Sequence, residues 1–206
     1  MNMSLSQLPV NFFDLAVIVA LTVGLFQGRK HGMSEELLSL FKWIAIPLVC
    51  AVAYEPGAEL IMRFSNMFSR LTCYLMAYVG EAVMIFLLFA GIKRVFSGKL
   101  VGSDIFGRAE YYLGMGSGLV RVSCVLLTAL ALLNARYFSP AEIKAIEKND
   151  LDVYGSNFFP GLNSIQATVF NQSLMGPWIK DYLGFLLIKP TEPERTPTRQ
   201  KDAGFP

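Results

Sequence analysis

Four long apolar stretches run through this chain, and each holds one ionisable side chain: Asp14, Lys42, Glu81 and Arg121. A stretch of about 20 mostly apolar residues is the length a helix needs to cross a bilayer. An uncompensated charge at the middle of such a helix costs roughly 2.5–3.5 kcal/mol on insertion scales. Two acids and two bases sum to zero, which points to pairing inside a helix bundle or to a polar path through it. Composition agrees with a membrane setting. Apolar residues make up 53% of the 206 and charged residues 17%, against about 25% charged in soluble domains.

The stretches predict helices over about 12–27, 37–54, 71–92 and 111–135. The link GRKHGMSEE between the first two is short and makes them antiparallel neighbours. The link over 55–70 mixes charges with Ile61, Met62 and Phe64 and reads as a short interfacial helix. The link over 93–108, with Gly98, Gly102 and Gly107, reads as a loop. Ser139-Pro140-Ala141-Glu142 is a capping box with proline at the first helical position, opening a short polar helix to about Asn149. VYGSNFFPG is a turn-rich break. From 162 to 188 the chain is amphipathic, interrupted at Gly176-Pro177, with Trp178 and Tyr182 on its apolar side. This predicts a helix lying in the membrane interface, with a fifth span as the competing reading. The fold class is therefore all-α integral membrane. Residues 1–11 form a short N-terminal segment, 12–135 a four-helix transmembrane domain, 136–188 an amphipathic helical region and 189–206 a disordered tail.

The N-terminus has no Lys or Arg and does not read as a cleaved signal peptide. Basic residues in short links orient membrane helices. Arg29, Lys30, Lys93, Arg94, Lys99 and Arg108 flank the first and third links, and Arg63 and Arg70 the second. That puts the first and third links in the cytoplasm and both termini outside, although Arg136, Lys144 and Lys148 weigh the other way.

Counting 1.5 Å per residue from their shared link puts Glu81 and Arg121 both near mid-depth, so they form a candidate buried pair. Asp14 sits where an acid caps a helix N-terminus. Lys42 lies about one turn into the second helix, where its stem snorkels to the interface. Gly24, Gly28 and Gly32 form a GxxxGxxxG ladder, and Gly114 and Gly118 a GxxxG pair. Such faces let helix backbones approach closely, either within the chain or in a dimer. Cys50, Cys73 and Cys124 lack metal or redox spacing and read as buried small apolar residues. With one histidine, His31, in a link, and no HExxH or GxSxG, nothing suggests an enzyme, a metal or a cofactor. The net charge of +2 gives no reason to expect nucleic acid.

Two motifs go further. Gly32 through Trp43, with Glu36 and Leu38-Ser39-Leu40 between, resembles the G-x-x-x-E-x-L-S-L-x-x-W stretch that opens the second helix of the colicin V production protein family (CvpA). Leu113-Gly114, Gly118 and Arg121 resemble its L-G-x-x-x-G-x-x-R stretch, and Asp14 an acid in its first helix. Glu110 stands where that family has Asp, and Glu81 and Lys42 have no counterpart in it. The resemblance implies a small multi-pass protein of the bacterial inner membrane, tied to colicin V production or export and to envelope homeostasis, and it implies no reaction. The expected partners are the lipid bilayer and either further copies of the chain or other membrane proteins. The alternative is a small oligomeric transporter or channel with Asp14, Glu81 and Arg121 along a polar path. Glu36 reads as serving the N-terminus of the second helix, or as a docking point at the cytoplasmic face.

Overall fold

The computed structural model of the chain describes residues 11–64, 68–100, 107–154 and 161–191. The four apolar stretches are helical, and four segments are long and apolar enough to cross a membrane: Phe12–Lys30, Glu36–Phe64, Arg70–Val95 and Glu110–Asn134. No strand occurs among the described residues.

The first two spans belong to one helix, α1 (Phe12–Phe64), broken at Gly32. Gly32 has φ 75° and ψ 170°, a region essentially restricted to glycine. The expected link is thus a sharp kink joining an N-arm to a C-arm. The C-arm also overruns its expected end near Tyr54 and replaces the interfacial helix expected over 55–70. Its buried face explains this. Ile46, Cys50, Tyr54 and Ala58 recur every four residues, so the stripe carries helical packing past Glu55 and Pro56. At 29 residues the segment is about 43 Å long, more than a hydrocarbon core of about 30 Å requires.

Helix α2 (Arg70–Leu100) lies against the C-arm, with Tyr54 and Tyr74 edge to face at 5.5 Å. It runs through Lys93–Leu100, where a loop was expected. A single 3₁₀ turn, Gly107–Ala109, precedes α3 (Glu110–Asn134). The N-arm is antiparallel to α3. Gly24 faces Gly118, Gly28 faces Gly114, and Gly32 meets Glu110. A Cβ on Gly28 or Gly118 would fall onto the opposing carbonyl. The ladder therefore packs inside one chain, and its glycines are not free to form a dimer face.

Helix α4 (Pro140–Tyr154) starts as its capping box requires. Ser139 Oγ accepts from Glu142 N at 3.2 Å, but the Glu142 carboxylate turns to Arg136 at 2.5 Å instead of back to the cap. Helices α5 (Leu162–Asn171) and α6 (Met175–Leu183) follow. With 10 and 9 residues they are too short to span. The interruption comes before Met175, so Pro177 lies within the first turn of α6, where its missing N–H costs no helical bond. The end of the chain returns to α3. Gln166 Nε2 donates to Leu133 O and Arg136 O, and Thr191 N to Ala135 O. Helix ends leave such carbonyls without intrahelical partners. Val169, Phe170, Leu187 and Ile188 join the C-arm, α2 and α3 in one core. The expected VYGSNFFPG break and disordered tail fall largely on 155–160 and 192–206, outside the described residues.

Gly28→Ala and Gly118→Ala should each lower the thermal unfolding midpoint of the detergent-solubilised protein, with losses of about 1–3 kcal/mol or more from overpacking. Gly116→Ala, which meets open space, should be neutral or gain up to about 1 kcal/mol.

Candidate functional site

The motif residues converge where the kink meets α3. The N-arm brings Gln27 and Gly28, the C-arm opens with Glu36, and α3 contributes Gly114, Ser117, Gly118 and Arg121. Arg121 Nη1 donates to Glu36 Oε1 at 2.6 Å and Nη2 to Gln27 Oε1 at 2.8 Å. Ser117 Oγ lies 3.5 Å from the other Glu36 oxygen and donates to Gly114 O at 3.0 Å. Glu36 is 3% exposed. A carboxylate so enclosed needs a cation and further donors, and this site supplies both. One guanidinium thus ties both arms of α1 to α3. Arg29 stacks over Tyr111 at 4.6 Å just beyond, bracing the end of the N-arm against the start of α3.

This arrangement corrects the expected Glu81–Arg121 pair. Counting residues fixes depth along a helix but not the direction a side chain takes around it. Arg121 turns toward the kink. Glu81 turns toward the C-arm, where Gly57 leaves room for its carboxyl and a Cβ would come within 2.6 Å of Oε1. Glu81 Oε2 is enclosed and has no hydrogen-bond partner among the described residues. Glu36 is likewise not a surface docking point.

Asp14 is 5% exposed and accepts three backbone N–H groups: Asn11 at 3.0 Å, Leu174 at 3.0 Å and Met175 at 3.1 Å. It caps its own helix, as expected, and also the start of α6, on a segment 160 residues away. The Lys42 ammonium lies over the rings of Phe86 at 4.2 Å and Trp43 at 5.3 Å, and Trp43 packs on the core. On the opposite side of the bundle Lys189 Nζ meets Glu55 at 2.7 Å, which raises the ammonium pKa above its ordinary value. Lys189 is 76% exposed, so this tether is weak. The three cysteines are free and buried. The side chain of His31 lies outside the described residues.

Sequence reasoning missed Gln27 and Ser117. Ser117 had a signal, a polar residue set within a small-residue face where lipid offers it no hydrogen bond and only the facing helix can; Gln27, exposed at the expected end of the first helix, had none.

Removing one member of a buried pair is costly, about 3–5 kcal/mol. Arg121→Gln should therefore deplete the protein in membranes, and the double Glu36→Gln/Arg121→Gln should recover much of the loss. Glu81→Gln, which has no cation to lose, should accumulate normally; immunoblots of membrane fractions read all three. Asp14→Asn should weaken the start of α6 by about 1–2 kcal/mol, in the range of lost helix caps, seen as faster amide exchange at Leu174 and Met175 with little change around Arg121.

The family model described as Colicin V production protein matches residues 13–181. No curated protein and no solved structure matches the chain significantly. The match takes in all four spans, the Glu36–Arg121 site and the α6 segment that Asp14 caps, and this multi-pass membrane protein belongs to the colicin V production protein family.

Proposed function

We propose that the protein works in the bacterial inner membrane without catalysing a reaction, supporting production or export of a colicin V-type toxin or the upkeep of the envelope. Family membership supports the toxin-linked role. One observation carries the non-enzymatic reading. Gly32, Glu36, Gly114, Gly118 and Arg121, the residues of the family-like motifs, are engaged in holding three helical segments to one another. What remains for function is the outer surface and its partners, including exposed Trp178, Tyr182 and Phe185 at the C-terminal side. The basic residues of the first and third links favour a cytoplasmic kink and termini outside.

A transport reading stays second, favoured by the enclosed, unpartnered Glu81 Oε2. It would need several copies, and the residues first drawn along one path are held apart. Asp14 is bonded at α6 and Arg121 at the kink.

The test uses cells that lack their own copy. Toxin release and survival of envelope stress should both fall and be restored by the wild-type chain. A variant replacing Trp178 and Tyr182 with Ala should reach normal abundance yet restore less. Alkaline phosphatase fused after Thr191 should be active. Unchanged readouts in the deleted cells would refute the role. Solute flux by the purified protein in vesicles would put transport in its place.

A further inference from the structure

A cavity of about 210 Å³ opens between the C-arm and α2 on the kink side, lined by Leu38, Ser39, Lys42, Phe86, Phe89 and Lys93 among others. Its charge is one-sided. Lys42 and Lys93 make no ion pair with any acid among the described residues. Lys42 and Lys93 line the same cavity, so two cations face it and no acid does. A lysine in a membrane span usually pairs, snorkels or faces water. Here the Lys42 ammonium is held over the Phe86 ring, at the cavity. Ser39 adds a hydroxyl donor beside it.

Depth and walls narrow the class of ligand. Lys93 is two residues from the end of its span and Lys42 six from the start of its own. At 1.5 Å per residue this band covers about 3–9 Å inside the ends of the two apolar spans, the level of lipid phosphates and the first acyl carbons. Leu38, Phe86 and Phe89 give the cavity apolar walls, and Phe86 is itself exposed on the outer surface of the bundle. A free phosphate or nucleotide would leave those walls uncovered.

We propose that this cavity is a binding site for one anionic phospholipid, with Lys42, Lys93 and Ser39 on the headgroup phosphate and an acyl chain along Phe86 and Phe89. The inference is independent of the role in toxin production.

Native mass spectrometry of the full-length protein, with phosphatidylglycerol or phosphatidylethanolamine of identical chains, tests it. Each basic side chain near a membrane surface contributes roughly fivefold in affinity, about thirtyfold for two. The wild type should prefer phosphatidylglycerol by about that factor. Lys42→Gln and Lys93→Gln should each lose most of the preference. The double variant should bind the two lipids alike, while Lys180→Gln, on α6, keeps the wild-type ratio. Photoactivatable phosphatidylglycerol on the unaltered protein should crosslink within 38–42 and 86–93, which keeps the test valid if the double variant does not fold. Equal binding of both lipids by the wild type, a preference that survives in a folded double variant, or crosslinks confined elsewhere would overturn the site. Displacement of the lipid by equimolar inorganic phosphate would overturn it in favour of a soluble anion.

Discussion

The bond from Arg121 to Glu36 decides the arrangement of the bundle. It is short, at 2.6 Å, and one partner is almost wholly enclosed. In a membrane there is little hydrophobic drive between helices, so contact depends on close backbone packing and on polar groups that cannot be satisfied by lipid. Both operate here within a few residues. The glycine ladder brings the N-arm and α3 together, and the same close approach puts Gln27 within reach of Arg121. The kink at Gly32 then returns the chain so that Glu36 arrives on the other side of the same guanidinium. A longer or looser link would not fix Glu36 at that distance.

The remainder of the molecule is organised around the opposite end. There the C-terminal segment satisfies carbonyls left open at the end of α3 and donates two N–H groups to Asp14. Asp14 and the Arg121 site sit at opposite ends of the N-arm. This helix is therefore anchored at both extremities, with Val17, Leu21 and Gly24 on the face between them.

Much of this was legible in the sequence. Length and apolarity fix the four spans, because a bilayer leaves few alternatives to a helix. The glycine faces were legible as contact surfaces, although not which helix each would meet. The azimuth of Arg121 and Glu81 was not legible, since a one-dimensional count carries depth alone. The true partner, Glu36, looked like a surface residue because it follows Ser34 and Glu35 in a polar link. The far end of the C-arm was obscured by Glu55, Pro56, Glu59 and Arg63, which interrupt the apolar run while leaving the buried stripe through Ala58 intact. The second role of Asp14 depends on a segment far along the chain, which no local pattern announces.

The Glu36–Arg121 bond has a meaning for how the protein is made. Its partners are 85 positions apart, and α3, which carries the arginine, is the last of the four spans to leave the ribosome. At synthesis rates of roughly 5–20 residues per second, Glu36 waits about 4–17 s for its cation. By the end of that interval the two arms of α1 and the whole of α2 have become available to enter the membrane, while the helix that packs on both arms is still incomplete. The nascent chain therefore passes through a state with an uncompensated acid and a bare glycine face, and assembly is completed by a late insertion instead of growing pair by pair from the N-terminus.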